Sequence, residues 1–257
     1  MNTTIGSTPL SEKFSPPSRR IIAVDLARGL AIAGVVLFHV VWDLEFTGLI
    51  SGVARHPLWL MFGRSLAGSF MVLVGISFVL AHRGRIRWPA FRRRLAIIIA
   101  AAAAITAITY IVFPHSFIYF GILHAIAAAT VASLIFVRTS AALCLAAGIA
   151  IFALPFLTAS PIFDTRWLAW IGFASRLPQS NDFVPIFPWV GLTLMGMSVA
   201  KWAITSRLDI TMERYQPSGL VANMVANWGR KSLAIYLIHQ PVLLALIIPL
   251  SWLIRAR

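Results

Sequence analysis

The sequence predicts an all-α protein, a polytopic bundle of about seven transmembrane helices, and two observations carry that expectation. Of the 257 residues, 59% are apolar and only 12% charged, about half the charged share of a soluble domain. The apolar residues also gather into runs close to the length a bilayer core demands, about 20 residues each, with the arginines and lysines between them.

The elements follow in chain order. Met1 to Ser18 is polar, contains Pro16 and Pro17, and lacks the apolar centre and cleavage site of a signal peptide, so it reads as a flexible cytoplasmic tail over 1–18. Residues 19–257 then form one membrane domain, since no stretch reads as a second compact unit with its own polar surface. Spans are expected at Ile21 to Trp42, Leu58 to Ala81, Leu95 to Phe113, Phe117 to Phe136, Ala141 to Leu157, Val184 to Ala203 and Ser232 to Ile254. Between the fifth and sixth, Asp164 to Asp182 mixes Arg166, Trp167, Trp170, Arg176 and Pro178. That mixture suits an interfacial loop, with one extra re-entrant or interfacial helix left open.

The net charge of +14 does not point to nucleic acid, because the basic residues sit in loops and form no face interleaved with exposed aromatics. They set orientation instead. With the N-terminus cytoplasmic, 15 of the 22 lysines and arginines fall on the inner side and five outside, the remaining two being Arg28 and Arg64 within spans. The lone cysteine, Cys144, rules out a disulfide within the chain.

Ionisable groups inside a span are costly and persist where they pair or line a cavity. The first span has four. At about 100° per residue, Asp25, Arg28, His39 and Asp43 share one narrow face, a polar seam about 27 Å long that must turn into the bundle. Asp25 and Arg28, one turn apart, can pair. Asp43, one turn beyond His39, can orient the imidazole, which makes His39 a candidate general base. Packing alone is the competing reading for each.

Other polar residues join this set. Arg64 stands in the second span among Gly63, Ser65, Ala67, Gly68 and Ser69, where it binds an anion or snorkels. His124 follows Gly121 in the fourth span, at a depth that could bring it to His39. Tyr236, His239 and Gln240 precede Pro241 in the last span and bind a ligand or brace a kink. Asn181 and Asp182, ahead of Pro185 and Pro188, are candidates for substrate binding or for capping the sixth helix. His56 lies before the second span. Phosphate-cradling glycine loops, His-x-x-His metal spacings and Gly-x-Ser-x-Gly elbows are absent from the sequence, so nucleotide hydrolysis, zinc chemistry and serine hydrolase chemistry are not expected.

The stretch Val24-Asp25-Leu26-Ala27-Arg28-Gly29-Leu30-Ala31-Ile32 resembles the Asp-x-x-Arg-Gly opening of the bacterial relatives of heparan-α-glucosaminide N-acetyltransferase. The ten-residue gap between Arg28 and His39 is similar to that in the first span of the wider transmembrane acyltransferases. Phe70 to Ser77, Gly121 to His124 and Gly229 to Gln240 extend the resemblance to the second, fourth and last spans. It implies transfer of an acyl group from acyl-CoA, acetyl-CoA above all, to a hydroxyl or amine on a glycan or other envelope component, with no tightly bound cofactor and no metal.

Carried onto this chain, the resemblance makes His39 the base or acyl relay and Arg28 the holder of an anionic part of the donor. His56 lies roughly where the lysosomal enzyme keeps its active-site histidine and is the second candidate. The chain is shorter than that enzyme and lacks its large lumenal region, so the heparan substrate does not carry over. The arginines from Arg83 to Arg94 are candidates to attract the CoA phosphates, although orientation alone would also explain them. Partners are the lipid bilayer, acyl-CoA and the acceptor, with a homo-oligomer left open and a bacterial inner membrane as the expected site. The rival reading is a proton-coupled transporter or flippase using the seam as a relay, against which no copy of the seam appears in the second half.

Overall fold

The computed structural model describes residues 21–83, 85–214 and 219–256; the expected tail over 1–18 lies outside them. Among the described residues the protein is all-helical, with two isolated β-bridges and no strand. The helices are α1 (Ile22–Phe46), α2 (Pro57–Ala81), α3 (Trp88–Val112), α4 (Ile122–Phe136), α5 (Ala141–Leu157), α6 (Arg166–Ala169), α7 (Ile186–Thr205), α8 (Leu208–Arg214), α9 (Leu220–Arg230) and α10 (Ser232–Arg255). Four of them, α1, α2, α3 and α10, are long and apolar enough to cross a membrane, while α4 and α5 are apolar but shorter.

Contacts across the bundle set the helix directions. Phe38 faces Gly63 and Leu66 faces Gly34, so α1 and α2 are antiparallel. Phe46 and Phe113 meet at the ends of α1 and α3, which are parallel. His124 bonds Thr106, and Thr130 shares a cavity with Arg94, so α4 runs against α3. Ser198 bonds the Ala141 carbonyl and Gly191 abuts Gly148, so α5 and α7 are antiparallel. Leu192 lies against Gly68 and Gly196 against Val72, so α2 and α7 are parallel. His239 meets His39, and Arg255 donates to the Thr47 carbonyl beyond the far end of α1, so α10 runs with α1. The seven longest helices therefore alternate in direction.

The packing centre is α7, held between α2 and α5. Lipid tails are as apolar as leucine, so such helices associate through small residues that admit close backbone approach. Here Gly75 abuts the Thr193 carbonyl, Gly196 the Val72 carbonyl and Gly148 the Gly191 carbonyl. The Thr193 hydroxyl donates across the same crossing to the Met71 carbonyl at 3.0 Å. Met71, Ala125, Ala129, Cys144, Leu194 and Met197 fill the core with no exposure.

Four boundaries depart from the sequence reading. The first helix runs on to Phe46, past the expected Trp42, and so takes in Asp43. The third helix begins at Trp88, not Leu95, with Pro89 in its first turn, where the missing N–H costs nothing; Arg92, Arg93 and Arg94 are thus helical. The fourth begins at Ile122, not Phe117. Its apolar approach is tied down differently, because the Thr109 hydroxyl accepts from the Ile118 N–H, Thr106 donates to the Ile118 carbonyl, and the Phe120 carbonyl accepts from Val184. Apolar sequence marks burial, and here the backbone groups are satisfied without a helix. The sixth run starts at Ile186, with Pro185 at its N-cap and no side-chain cap. Within Asp164 to Asp182 the structure holds α6 and the end of a 3-10 turn, Pro161–Asp164, four residues each and far too short to cross.

Candidate active site

The α1 seam faces the bundle as its periodicity requires. Asp25 and Asp43 are buried, and Arg28 and His39 partly so. At the α1 N-terminal end, Arg28 pairs with Asp25 at 3.3 Å and donates to the Ser77 hydroxyl of α2 at 2.6 Å. Beside it, between α2, α3 and α4, lies a cavity of about 90 Å³ whose wall includes His82, Arg87, Arg94 and Thr130 over an apolar floor of Val74, Phe78 and Phe91. Arg94 stands close enough to Arg28 for the two charges to interact. Arg83, from the same arginine cluster, turns instead to Asp209 at 2.8 Å and Glu213 at 3.2 Å, fastening the α2–α3 connection to α8.

Further along α1, His39 meets His239 of α10 edge to face, with ring centroids 4.7 Å apart. The expected His39–Asp43 pair is not formed. The His39 Nδ1 donates to the Val35 carbonyl at 2.9 Å, one turn back, and Asp43 accepts from Gln240 Nε2 at 2.7 Å. A helix offers its own i−4 carbonyl to such a ring, and a carboxylate inside a bundle takes the donor that the facing helix brings. His239 repeats the arrangement, its Nδ1 donating to the Tyr236 carbonyl at 2.7 Å. Since a carbonyl only accepts, each Nδ1 carries a proton, which in a neutral ring leaves Nε2 with its lone pair. Asp43 Oδ2, Gln240 Oε1 and His239 Nε2 are buried without a hydrogen-bond partner among the described residues. All three are acceptors, and what completes them is a hydrogen-bond donor such as a hydroxyl or an amine.

The remaining predicted residues divide. Asp182 caps α4 and not the sixth helix, accepting from the Ile122 N–H at 2.8 Å and from the Tyr236 hydroxyl at 3.3 Å. Desolvation holds its carboxyl above the usual carboxylate range despite those two bonds. Tyr236 packs against His239 at 5.6 Å between centroids, which links this cap to the histidine pair. His124 does not join His39. Its Nδ1 accepts from the Gly121 N–H and its Nε2 lies 3.3 Å from the Thr106 hydroxyl, so both ring nitrogens are engaged at the start of α4. His56 is the exposed N-cap of α2, accepting from the Leu58 N–H at 3.3 Å. Asn181 is exposed and ties its backbone N–H to the Ser116 carbonyl. Arg64 is exposed although it shares the helical stripe of Gly68, Met71 and Gly75.

Two contributors escape a sequence reading. Ser77 gives no signal beyond one hydroxyl in an apolar run. Trp59, stacked on Phe38 at 5.6 Å with its indole N–H buried and unpartnered, resembles any interfacial tryptophan until its neighbours are known. Among the described residues, no three histidine, cysteine or acidic side chains are placed to share a metal ion.

Membrane-length helices around a buried ionisable seam define a polytopic membrane protein whose seam residues face into the bundle. The chain belongs to the catalytic family of heparan-α-glucosaminide N-acetyltransferase, a family of transferases, whose model matches residues 20–241. That span holds every seam and cluster residue from Asp25 to Gln240. Comparison with curated proteins and with solved structures returns no match.

Proposed function

We propose that this protein transfers an acetyl or other acyl group from acyl-CoA, met at the cytoplasmic end of the bundle, to a hydroxyl or amine of a glycan or other envelope component near the opposite face. The observation that carries the reading is the polarity of the α1 seam. Cations gather at one end, where Arg28 adjoins a cavity walled by Arg87 and Arg94, and unpartnered acceptors gather at the other. The residues suit the donor: guanidinium groups match phosphate oxygens, and the apolar floor suits an uncharged arm. Arg28 and His39 are about 16 Å apart along the helix axis, so an extended donor would reach from the cations toward the histidines.

In this mechanism a neighbouring hydroxyl or N–H of the acceptor donates to Asp43 or Gln240, which holds the reacting hydroxyl or amine beside His39. His39 Nε2 takes the proton as the acceptor oxygen or nitrogen attacks the thioester carbonyl. A C–O or C–N bond forms, the C–S bond breaks, and the proton passes from the imidazolium to the departing sulfur. Seven membrane crossings, with a cytoplasmic N-terminus in a bacterial inner membrane, fit the alternating helix directions and the inward bias of lysine and arginine. Family membership favours this reading over a proton-coupled transporter.

The test is release of free CoA from acetyl-CoA by the purified protein in detergent, in the presence of hydroxyl- and amine-bearing envelope extracts. His39→Ala should lower turnover about 10²–10⁴-fold with acetyl-CoA binding intact. Loss confined to His56→Ala would move the base to the outer loop. No acetyl-CoA binding by calorimetry would sink the transferase reading.

A further inference from the structure

Helix α9 has three faces. At about 100° per residue, Ala222, Val225, Ala226 and Gly229 form one, Leu220, Val221, Met224 and Trp228 a second, and Asn223, Asn227 and Arg230 a third. The small face packs on the N-terminal end of α1, where Gly29 abuts the Val225 carbonyl and Gly229 the Asp25 carbonyl. Those two contacts run in opposite chain directions, so α9 lies antiparallel beside the part of α1 that bears Asp25 and Arg28. Its apolar face has no cover among the described residues: Leu220 is 87% and Val221 68% exposed.

We propose that α9 is embedded in the lipid leaflet at the α1 N-terminal end, with its apolar face among the acyl chains and Arg230 and Lys231 on the phosphates of anionic lipids. Packed along α1 through these glycine contacts, α9 carries its apolar stripe to the depth of the α1 N-terminal half and leaves Arg230 and Lys231 level with the α1 N-terminus. The apolar stripe also continues the lipid-facing surface of α1, where Leu30 is exposed. Charge selects the headgroup. At this end of the bundle Asp25, Asp209 and Glu213 are already matched by Arg28 and Arg83, whereas Arg85, Arg92, Arg93, Arg214, Arg230 and Lys231 are exposed. The surface is a net cation facing the headgroups, which favours anionic lipid. In this position α9 also keeps acyl chains from the buried Asp25.

Site-directed fluorescence on the full chain tests this. With Cys144→Ala removing the lone cysteine, single cysteines are placed at Val221, Trp228 and Arg85, with Leu220 as a reserve for Val221. Each is labelled with bimane and reconstituted in nanodiscs of phosphatidylcholine, with or without phosphatidylglycerol. Labels at Val221 and Trp228 should be quenched by brominated acyl chains and protected from iodide, and the label at Arg85, in the exposed loop between α2 and α3, should behave in the opposite way. The Arg230→Gln/Lys231→Gln double variant should lower the enrichment of phosphatidylglycerol over phosphatidylcholine around the protein by roughly 30-fold. Iodide access at Val221 equal to that at Arg85 would overturn leaflet insertion. Protection that persists in lipid-free detergent, with cross-linking between Val221 positions of two copies, would assign the face to a second chain instead. Enrichment unchanged in the double variant would overturn the headgroup contact.

Discussion

Asp43 and Gln240 test what the cluster on α1 and α10 is for. One carboxylate oxygen accepts from the Gln240 amide, and the other has no partner, nor does the Gln240 carbonyl oxygen. Asp43→Asn replaces this with two facing amides, each able to donate to and accept from the other. It should therefore raise stability by about 1 kcal/mol while lowering transfer, because the acceptor loses the carboxylate that draws its donor. Gln240→Leu does the reverse to stability, leaving the Asp43 carboxylate buried without its donor at a cost of about 1–3 kcal/mol. Thermal unfolding in detergent, read beside CoA release, separates the two, and parallel losses of stability and activity in both variants would reduce the cluster to a structural brace. His39 and Asp43 were legible as neighbours on one helical face, but their partners were not. Gln240 is 197 positions from Asp43, and no local pattern reaches that far.

At the scale of elements, the crossing of α2 with α7 decides whether the bundle closes. A side chain added at Gly75 would meet the Thr193 carbonyl, a backbone atom that cannot step aside. Gly75→Val should lower the midpoint of thermal unfolding, at a cost of about 1–3 kcal/mol, whereas Ala104→Val, on the exposed side of α3, should cost less than about 1 kcal/mol. Equal shifts for the two would mean that the close approach carries little. Apolar periodicity was sufficient to find α2, α5 and α10 near their true limits. It misplaced the start of α4 because Phe117 to Gly121 is as apolar as a helix, yet its backbone bonds go to Thr106, Thr109 and Val184. It placed the start of α3 too late because arginines read as loop residues, while a helix that projects from the bilayer carries them without penalty.

For the whole molecule, the alternating helix directions and the one-sided distribution of basic residues make a joint prediction about topology. In intact cells, a membrane-impermeant maleimide should label a cysteine at Ser51, between α1 and α2, and should reach one at Arg85, between α2 and α3, only after permeabilisation. Labelling of both in intact cells would invert or break the proposed path. What the sequence determined by itself is the solvent: its apolar content, the spacing of its runs and the placement of its charges require a helical membrane protein, since a bilayer accepts backbone polar groups only when they are paired within the chain. It also determined that the α1 seam turns inward, because four ionisable groups on one face cannot be left to lipid. Only the tertiary structure decided how the seam is used, bringing Ser77 to Arg28, His239 to His39 and Gln240 to Asp43 while leaving His56 at a helix cap and His124 occupied at the start of α4. Those pairings depend on which helices adjoin and at what height, and that is set by glycine contacts between distant segments, which periodicity along a single chain does not encode.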